Sequence, residues 1–287
     1  MTPTMHSDHS QLRPMPVNIV VAHALEAKAL IPMLQLKALQ TDSGYSEYAN
    51  ANGLRLIVSD IGKEAVSRAV SSLAHAQSND AGQISAWLNI GIAGHASAAI
   101  GSAWLAHKIT DQRSGRSAYP PQLIEGLASC SIITVDEPEQ DYALEAVYDM
   151  EAAAFYEAAS KQATAELVQL FKIVSDNLIN PVEEIDLKSV PLWIARQDSQ
   201  ILLLVDKLAE LAASYNSRQY VPRVYYDICS LTHLTVNEKL QLRRLCQRYR
   251  ALGREDELAD INLLAKNHTK KLLSILSSAI DQPPALK

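Results

Sequence analysis

Cysteine, basic charge and long apolar runs are all scarce in this chain of 287 residues. Its three cysteines, Cys130, Cys229 and Cys246, form no C-x-x-C pair, which disfavours a disulfide framework, and no His/Cys cluster has metal-ligand spacing. The net charge of −6 disfavours nucleic-acid binding as a main role. No apolar run reaches the roughly 18 residues of a transmembrane helix, and residues 1–16 lack the apolar segment of a signal peptide. We therefore expect a cytoplasmic protein without a metal, a nucleic-acid partner or a membrane partner, and a flexible tail over residues 1–16.

Short β-branched runs alternate with helical stretches through the first two thirds of the chain. Hydrophobic residues make up 48% of the chain and charged residues 20%, which is ordinary for a globular protein. The alternation is typical of βαβ units, so we predict a three-layer α/β/α domain around a mostly parallel, mixed sheet. The predicted strands are 17–22, 54–58, 86–90, 102–109, 131–135 and 170–174, and the predicted helices are 26–36, 63–75 and 150–161.

The pattern becomes helical after Asp186. An amphipathic helix is predicted over 194–214, and two more over 235–252 and 256–280. We therefore divide the chain into the tail (1–16), an α/β domain (17–215) and a small helical subdomain (216–287). The subdomain has two interpretations: it packs on the α/β domain, or it docks a partner or a second subunit.

One helix of this subdomain is basic. Its positive side chains are typical of a solvated helix face, and an anionic partner is the alternative. The helix carries Lys239, Arg243, Arg244, Arg248 and Arg250.

Polar and small residues follow the predicted strands at several places. In parallel sheets, ligands bind at the carboxyl ends of the strands, so these segments point to one site. Taken singly, each has a plain structural interpretation as a tight turn or a helix cap. The segments are Glu26 after the first strand, S-D-I-G-K (59–63), the small-residue loop N-I-G-I-A-G-H (89–95), D-M-E-A-A-A (149–154) and K-I-V-S-D (172–176).

In order and spacing, these segments resemble the methylthioadenosine/adenosylhomocysteine nucleosidase branch of the nucleoside phosphorylase superfamily. The resemblance covers residues 17–177 and implies a phosphorylase-like fold that cleaves the N-glycosidic bond of a purine-type nucleoside. It implies that Asp176 is the general acid for the departing base, that Glu151 binds the ribose hydroxyls and that Glu26 activates water. No redox cofactor or metal is implied.

The resemblance also implies a set of binding residues. Met150 would pack beneath the sugar, and a small-residue segment would line the sugar and base. Backbone N–H groups at a glycine turn can hold an anion or a polar ligand. The implied residues are Ile92, Ala93, Gly94, Gly62, Lys63, Lys172 in place of the family's arginine, and Val135 in the segment of the base-binding loop.

Some positions depart from the family pattern. His95 and Asp60 stand where the family has glycine, and only 48 residues, 102–149, separate Gly101 from Met150, a stretch shorter than in the nucleosidases. These departures keep open a catalytically inactive nucleoside-binding protein. We expect His95 and His23 to be structural histidines without catalytic duty.

The nucleophile is either water or phosphate. No arginine lies near Glu26 in the sequence, and a carboxylate there would repel phosphate, so hydrolysis is preferred. Phosphorolysis with phosphate as a co-substrate is the alternative. The resemblance implies a small-molecule nucleoside as the ligand and a homo-oligomer as the assembly.

Overall fold

The computed structural model describes residues 16–77, 83–258 and 269–281. The chain divides into two compact units, Met1–Tyr215 and Asn216–Lys287. The predicted flexible tail lies outside the described residues except for Pro16. In the described part of the chain, no helix combines the length and the apolar character needed to span a bilayer.

The first unit is a mixed α/β structure, as predicted. Its strands are β1 (Val17–Val21), β2 (Lys37–Ala38), β3 (Ser46–Ala49), β4 (Arg55–Val58), β5 (Ala86–His95), β6 (Ala103–Asp111), β7 (Ser117–Ala118), β8 (Ser129–Thr134), β9 (Val147–Asp149) and β10 (Val168–Asp176). Its helices are α1 (Ala24–Met33), α2 (Lys63–Ala76), α3 (Ala152–Ala159), α4 (Val190–Ala195) and α5 (Asp198–Gln219), and α5 runs past the boundary.

The strands form one sheet whose longest pairings are parallel. β1 lies between β4 and β5 and is parallel to both, and β5 is parallel to β10 along most of its length. The carboxyl end of β5 also pairs with β9, in the antiparallel sense. Because β10 pairs with β6, β6 with β8 and β8 with β9, five strands close into a ring through β5. β5 is therefore shared between an open sheet and this ring.

Helices cover both faces of the sheet, which confirms the three-layer prediction. Side chains on a strand alternate between faces. Ile19 of β1 packs in a cluster with Leu30 of α1 and Leu204 of α5, whereas Val20 packs in another cluster with Val66 of α2. All of these side chains are at most 1% exposed, so each face of the sheet has its own apolar core.

Several boundaries differ from the sequence prediction. The third strand extends to His95, so the segment 89–95 that was expected to be a loop is part of β5, held on its two sides by β10 and β9. The helix expected over 194–214 is two helices, α4 and α5, interrupted at 196–197. The prediction missed β2, β3, β7 and β9, whose two to four residues are too short to show a period.

The second unit is helical in its described part, with its own core. It contains α6 (Arg223–Leu231), α7 (Val236–Ala251) and α8 (Thr269–Ile280). The prediction did not separate α6, and residues 259–268 of the predicted helix 256–280 lie outside the described residues. The core side chains are Ile228, Leu234, Leu242, Cys246, Tyr249, Leu258, Leu272, Leu276 and Ile280.

The basic side chains of α7 divide into two groups. Lys239, Arg243 and Arg244 are exposed to solvent. Arg248 pairs with Asp281 at 3.5 Å, and Arg250 lies over the ring of Tyr220, 4.0 Å from its centroid. The second group therefore stabilises the unit, and the first group forms a solvated basic face.

We expect the first unit to fold without the second. Its three apolar clusters contain no residue beyond Ala212, and the cluster of the second unit begins at Val224. A chain that ends after Gln219, the last residue of α5, should keep its secondary structure and unfold in one cooperative transition. Circular dichroism during thermal unfolding, with the full chain as the reference, measures this. An aggregated or non-cooperative fragment would contradict it.

Candidate active site

A cavity of about 470 Å³ opens at the carboxyl ends of β1, β5 and β10. This volume lies in the range of small-molecule sites. Eight of the residues predicted for a site line this cavity: Glu26, Ile92, Ala93, Gly94, Val135, Met150, Glu151 and Asp176.

Glu26 lies in the first turn of α1, and its carboxylate is held by three backbone N–H groups. Those of Ala22 and His23 donate to Oε2 at 2.8 Å each, and that of Ile92 donates to Oε1 at 2.9 Å. Burial raises the pKa of Glu26, and these hydrogen bonds and Lys172 oppose the rise. Glu26 thus caps its helix and also presents a carboxylate of raised basicity to the cavity.

A buried lysine lies close to the carboxylates of Asp149, Glu151 and Glu26. Lys172 on β10 is 2% exposed, and its Nζ lies 2.9 Å from Asp149 Oδ2. Burial lowers the pKa of Lys172, but Asp149, Glu151 and Glu26 raise it, and the net shift is upward. Lys172 therefore keeps its charge, although it does not line the cavity.

Asp149 was part of the predicted motif, but its role was not predicted. Its carboxylate accepts hydrogen bonds from Thr134 Oγ1 at 3.0 Å and from the backbone N–H of Ala152 at 2.8 Å. Asp149 thereby joins β8, the start of α3 and Lys172. Its place as the first residue of the D-M-E-A-A-A motif was the signal.

Glu151 faces the cavity at the start of α3. The backbone N–H of Gly62 donates to its Oε1 at 2.7 Å. Burial first, and the neighbouring carboxylates of Asp149 and Glu26 next, raise the pKa of Glu151 to about 7, and Lys172 and the Gly62 hydrogen bond oppose the rise. The S-D-I-G-K turn thus contributes to the site through one backbone amide that orients Glu151.

Asp176 ends β10 beside a bulge. Its Cα pairs with that of Gly94, and the register shifts between Val174 and Asp176, at Ser175. The Ser175 hydroxyl donates to Asp176 Oδ1 at 2.5 Å, and the phenol hydroxyl of Tyr142 donates to Oδ2. A bulge redirects side chains at the end of a strand, and here it brings the carboxylate of Asp176 to the cavity wall.

Two glycines of β5 make room for these side chains. A Cβ at Gly91 would lie 2.9 Å from Glu26 Oε1 and 3.5 Å from Lys172 Nζ. A Cβ at Gly94 would lie 2.6 Å from both Asp176 Oδ2 and the hydroxyl oxygen of Tyr142. A side chain at Gly94 would therefore displace Asp176 or Tyr142, and the backbone of β5 forms the floor of the site.

Lys63 does not reach this cavity, which corrects its expected role in substrate binding. Its Nζ lies 2.9 Å from Asp111 and 2.7 Å from Asp136. It lines a more open groove of about 770 Å³, together with Arg68 and Arg116. The first residue of α2 points away from the turn that precedes it, and two carboxylates bind its charge.

The two other departures from the family pattern have structural roles. Asp60 has a φ of +68°, a conformation that glycine adopts without strain and that aspartate tolerates. His95 Nδ1 accepts hydrogen bonds from the backbone N–H groups of Ser97 and Ala98 at 3.1 and 3.0 Å. Burial lowers the pKa of His95, which is therefore neutral at pH 7, and its ring stacks on Trp104. His23 lines the cavity, and its Nδ1 accepts the N–H of Leu25.

Several lining residues had no signal in the sequence. Among them, Glu139 and Tyr142 lie in the irregular segment after β8, and Glu183 lies in a single 3-10 turn after β10. Neither segment has a period or a motif, and the chain brings them together only when it folds. Their link is direct, because Gln140 Nε2 donates to Glu183 Oε1 at 2.6 Å.

No family model matches this chain, and no curated protein matches its sequence. Solved structures do match its fold. The apo 5'-methylthioadenosine nucleosidase of Arabidopsis thaliana superposes with a TM-score of 0.54 and 18% identity, covering 68% of this chain and 97% of that one. The native futalosine hydrolase of Helicobacter pylori gives 0.53 and 14%, covering 67% and 97%.

A third structure contains an inhibitor. The 5'-methylthioadenosine/S-adenosylhomocysteine nucleosidase of Neisseria meningitidis in complex with methylthio-immucillin-A gives a TM-score of 0.52 and 17% identity, covering 67% of this chain and 99% of that one. At these identities the likeness establishes the fold. The predicted three-layer α/β fold is therefore confirmed as the fold that this chain shares with these nucleosidases, together with the divergence of the sequence.

The raised pKa of Glu151 predicts a pH-dependent stability. Below the unfolded pKa of 4.5 both states bind the proton, and between there and about 7 only the folded state keeps it. The free energy of unfolding should therefore fall as pH rises through this window, by up to about 3 kcal/mol. Urea unfolding from pH 4 to 8 measures it. The variant Glu151→Gln should lack this pH-dependent part of the free energy of unfolding. The same pH dependence in both proteins would contradict the assignment to Glu151.

Removing Lys172 should destabilise the fold strongly. Lys172→Met leaves the buried carboxylate of Asp149 without its cation, a loss of about 3–5 kcal/mol in the free energy of unfolding. Lys161→Met is the matched control, because Lys161 is 67% exposed and pairs only with Glu157 on the surface, a loss of about 0.5 kcal/mol. Equal denaturation midpoints for the two variants would refute the role of Lys172.

Proposed function

We propose that this chain hydrolyses the N-glycosidic bond of a purine-type nucleoside. One observation carries the proposal: Glu26, Glu151 and Asp176, taken from three separate segments, meet on the wall of one cavity. This reaction uses three groups: a general acid for the departing nucleobase, a hydrogen-bond acceptor for the sugar hydroxyls and a general base for the attacking water. It needs no redox cofactor and no metal.

Asp176 is proposed to protonate the departing base. Cleavage passes through a ribosyl oxocarbenium-like state, in which negative charge moves onto the base, and a proton on a base nitrogen relieves that charge. Gly94, which lacks a side chain, supports this role, since a flat base can lie against its backbone beside Asp176 when the ring of Tyr142, which covers it, moves away. Ala93 and Val135 line the same wall.

Glu151 is proposed to bind the ribose hydroxyls. Gly62 N–H holds one of its oxygens at 2.7 Å, and the other oxygen remains as an acceptor for a sugar hydroxyl. Met150, the preceding residue, lines the cavity and supplies an apolar surface for the sugar.

Glu26 is proposed to take a proton from the attacking water. A general base works best when its pKa lies near the working pH, and the buried Glu26 has a raised pKa. Its three backbone hydrogen bonds fix the direction of the carboxylate. Lys172 behind it limits the rise, so the carboxylate stays available as a base.

The charge of the cavity favours water over phosphate as the nucleophile. In the described chain, no lysine or arginine lines the cavity, and Arg68 and Arg116 face a different groove. A phosphate dianion would meet a carboxylate wall without a cation. The acidic lining residues are Glu26, Glu139, Asp149, Glu151, Asp176 and Glu183.

An inactive nucleoside-binding protein is less well supported. The departures that motivated it leave the three carboxylates intact, because His95 and Asp60 have structural roles and Lys172 retains the positive charge of the family's arginine. We therefore propose turnover and keep phosphorolysis as the alternative to hydrolysis.

The deciding assay is release of free base by the full chain from methylthioadenosine, adenosylhomocysteine, adenosine and inosine, with and without phosphate. Release without phosphate supports hydrolysis. Release only with phosphate overturns it in favour of phosphorolysis, and tight nucleoside binding without any release favours the inactive protein.

Asp176→Asn should lower kcat/KM at least about a hundredfold, the usual scale for a positioned acid. The matched control is Asp141→Asn, because Asp141 is an exposed carboxylate in the irregular segment before β9 and does not line the cavity. The control should keep the rate of the unmodified protein. If both variants turn over equally, Asp176 is not the acid.

A further inference from the structure

Tyr142 occupies the position beside Gly94 and Asp176 where the proposed reaction places the nucleobase. Its hydroxyl donates to Asp176 Oδ2, the carboxylate that would protonate the base. The other oxygen of Asp176 accepts the Ser175 hydroxyl. Both oxygens of Asp176 therefore have a partner from the chain itself.

The ring of Tyr142 also covers the backbone on which the base would rest. A Cβ at Gly94 would lie 2.6 Å from Tyr142 Cε1 and 2.6 Å from its hydroxyl oxygen. A base cannot occupy the surface of Gly94 and contact Asp176 Oδ2 while the ring is there. Base and phenol therefore compete for one position.

Tyr142 lies on an irregular segment and has a left-handed backbone conformation. The ring packs edge-on against Tyr148, with centroids 5.5 Å apart, among Ala96, Val135 and Ala146. Its backbone φ is +42°, a left-handed conformation that costs a bulky residue of order 1–3 kcal/mol. The segment between β8 and β9 that carries it is irregular, so no strand pairing or helix has to break for the ring to move.

We propose that Tyr142 controls the affinity of the base subsite: its hydroxyl binds Asp176 in the empty protein, and the base of the substrate displaces it. This inference rests on the proposed function of the cavity. Asp176 exchanges one hydrogen-bond partner for another, and the ring moves off Gly94 to admit the base. Burial and the contact with Asp176 raise the pKa of the Tyr142 hydroxyl, so it remains a donor throughout the neutral range.

The strength of the hydrogen bond between Tyr142 and Asp176 sets the size of the expected change in adenine affinity. A hydrogen bond between a neutral donor and a carboxylate contributes enough to change an equilibrium about tenfold. Tyr142→Phe keeps the ring and removes only the donor. The variant should bind free adenine about tenfold more tightly than the unmodified protein does, because the base no longer has to break this bond.

Two measurements on the full chain test the proposal. The first is a double-mutant cycle of Tyr142→Phe and Asp176→Asn on the free energy of unfolding without ligand, which reports whether the two side chains interact. The second is the dissociation constant of adenine by calorimetry for the unmodified protein and for Tyr142→Phe. Tyr156→Phe, which removes a phenol hydroxyl on α3 outside the cavity, is the control.

Non-additive unfolding energies together with tighter adenine binding by Tyr142→Phe support the proposal. Additive energies overturn it, since the contact would then be absent in solution. Coupled energies with unchanged or weaker adenine binding also overturn it, because Tyr142 would then position Asp176, a role that lowers kcat and leaves KM nearly constant. If neither protein binds adenine or hypoxanthine while the energies are coupled, the base subsite of the proposed function fails, and the pair is purely structural.

Discussion

One buried cation holds the candidate site together. Lys172 lies at the back of the cavity with Asp149 at 2.9 Å and with Glu151 and Glu26 close enough to raise its pKa. Without a positive charge there, three carboxylates could not share a buried wall, because each would be driven to its neutral form. The single lysine leaves the group short of positive charge. That deficit, added to burial, is why the pKa of Glu151 rises to about 7, whereas burial alone raises the pKa of Glu26.

The fold orients these carboxylates through hydrogen bonds from backbone N–H groups. Glu26 is oriented by three N–H groups, Glu151 by that of Gly62, and Asp149 by that of Ala152. Backbone amides belong to strands and helix starts, so their positions are fixed by the sheet and its layers. The proposed sugar and water side of the site is therefore held by backbone hydrogen bonds, whereas the proposed base side combines Asp176 and Gly94 of the strands with Tyr142 of an irregular segment.

The sequence predicted the fold and eight of the 23 residues that line the cavity, and it did so for a physical reason. Long strands and helices can be recognised by the periodic spacing of their hydrophobic residues. Residues at the carboxyl ends of parallel strands lie at the same edge of the sheet. The same reasoning failed for Lys63, since the turn before a helix does not determine where the first helical side chain points. It also placed residues 89–95 in a loop, because glycine and alanine conceal a strand whose pairing with β10 and β9 is non-local. Tyr142, Glu139 and Glu183 carried no signal, because their positions depend on two irregular segments meeting in space.

The closed ring of strands has a consequence for how copies of this chain can meet. A sheet grows by strand addition only where an edge offers a row of unpaired backbone groups. Among the described residues, the open path of the sheet ends at β2, and β7 is the other peripheral strand; each is two residues long. Edges this short offer too few hydrogen bonds to template a neighbour. An assembly built from the described residues would therefore rely on side chains of helices and loops, because these two edges offer little backbone for strand pairing.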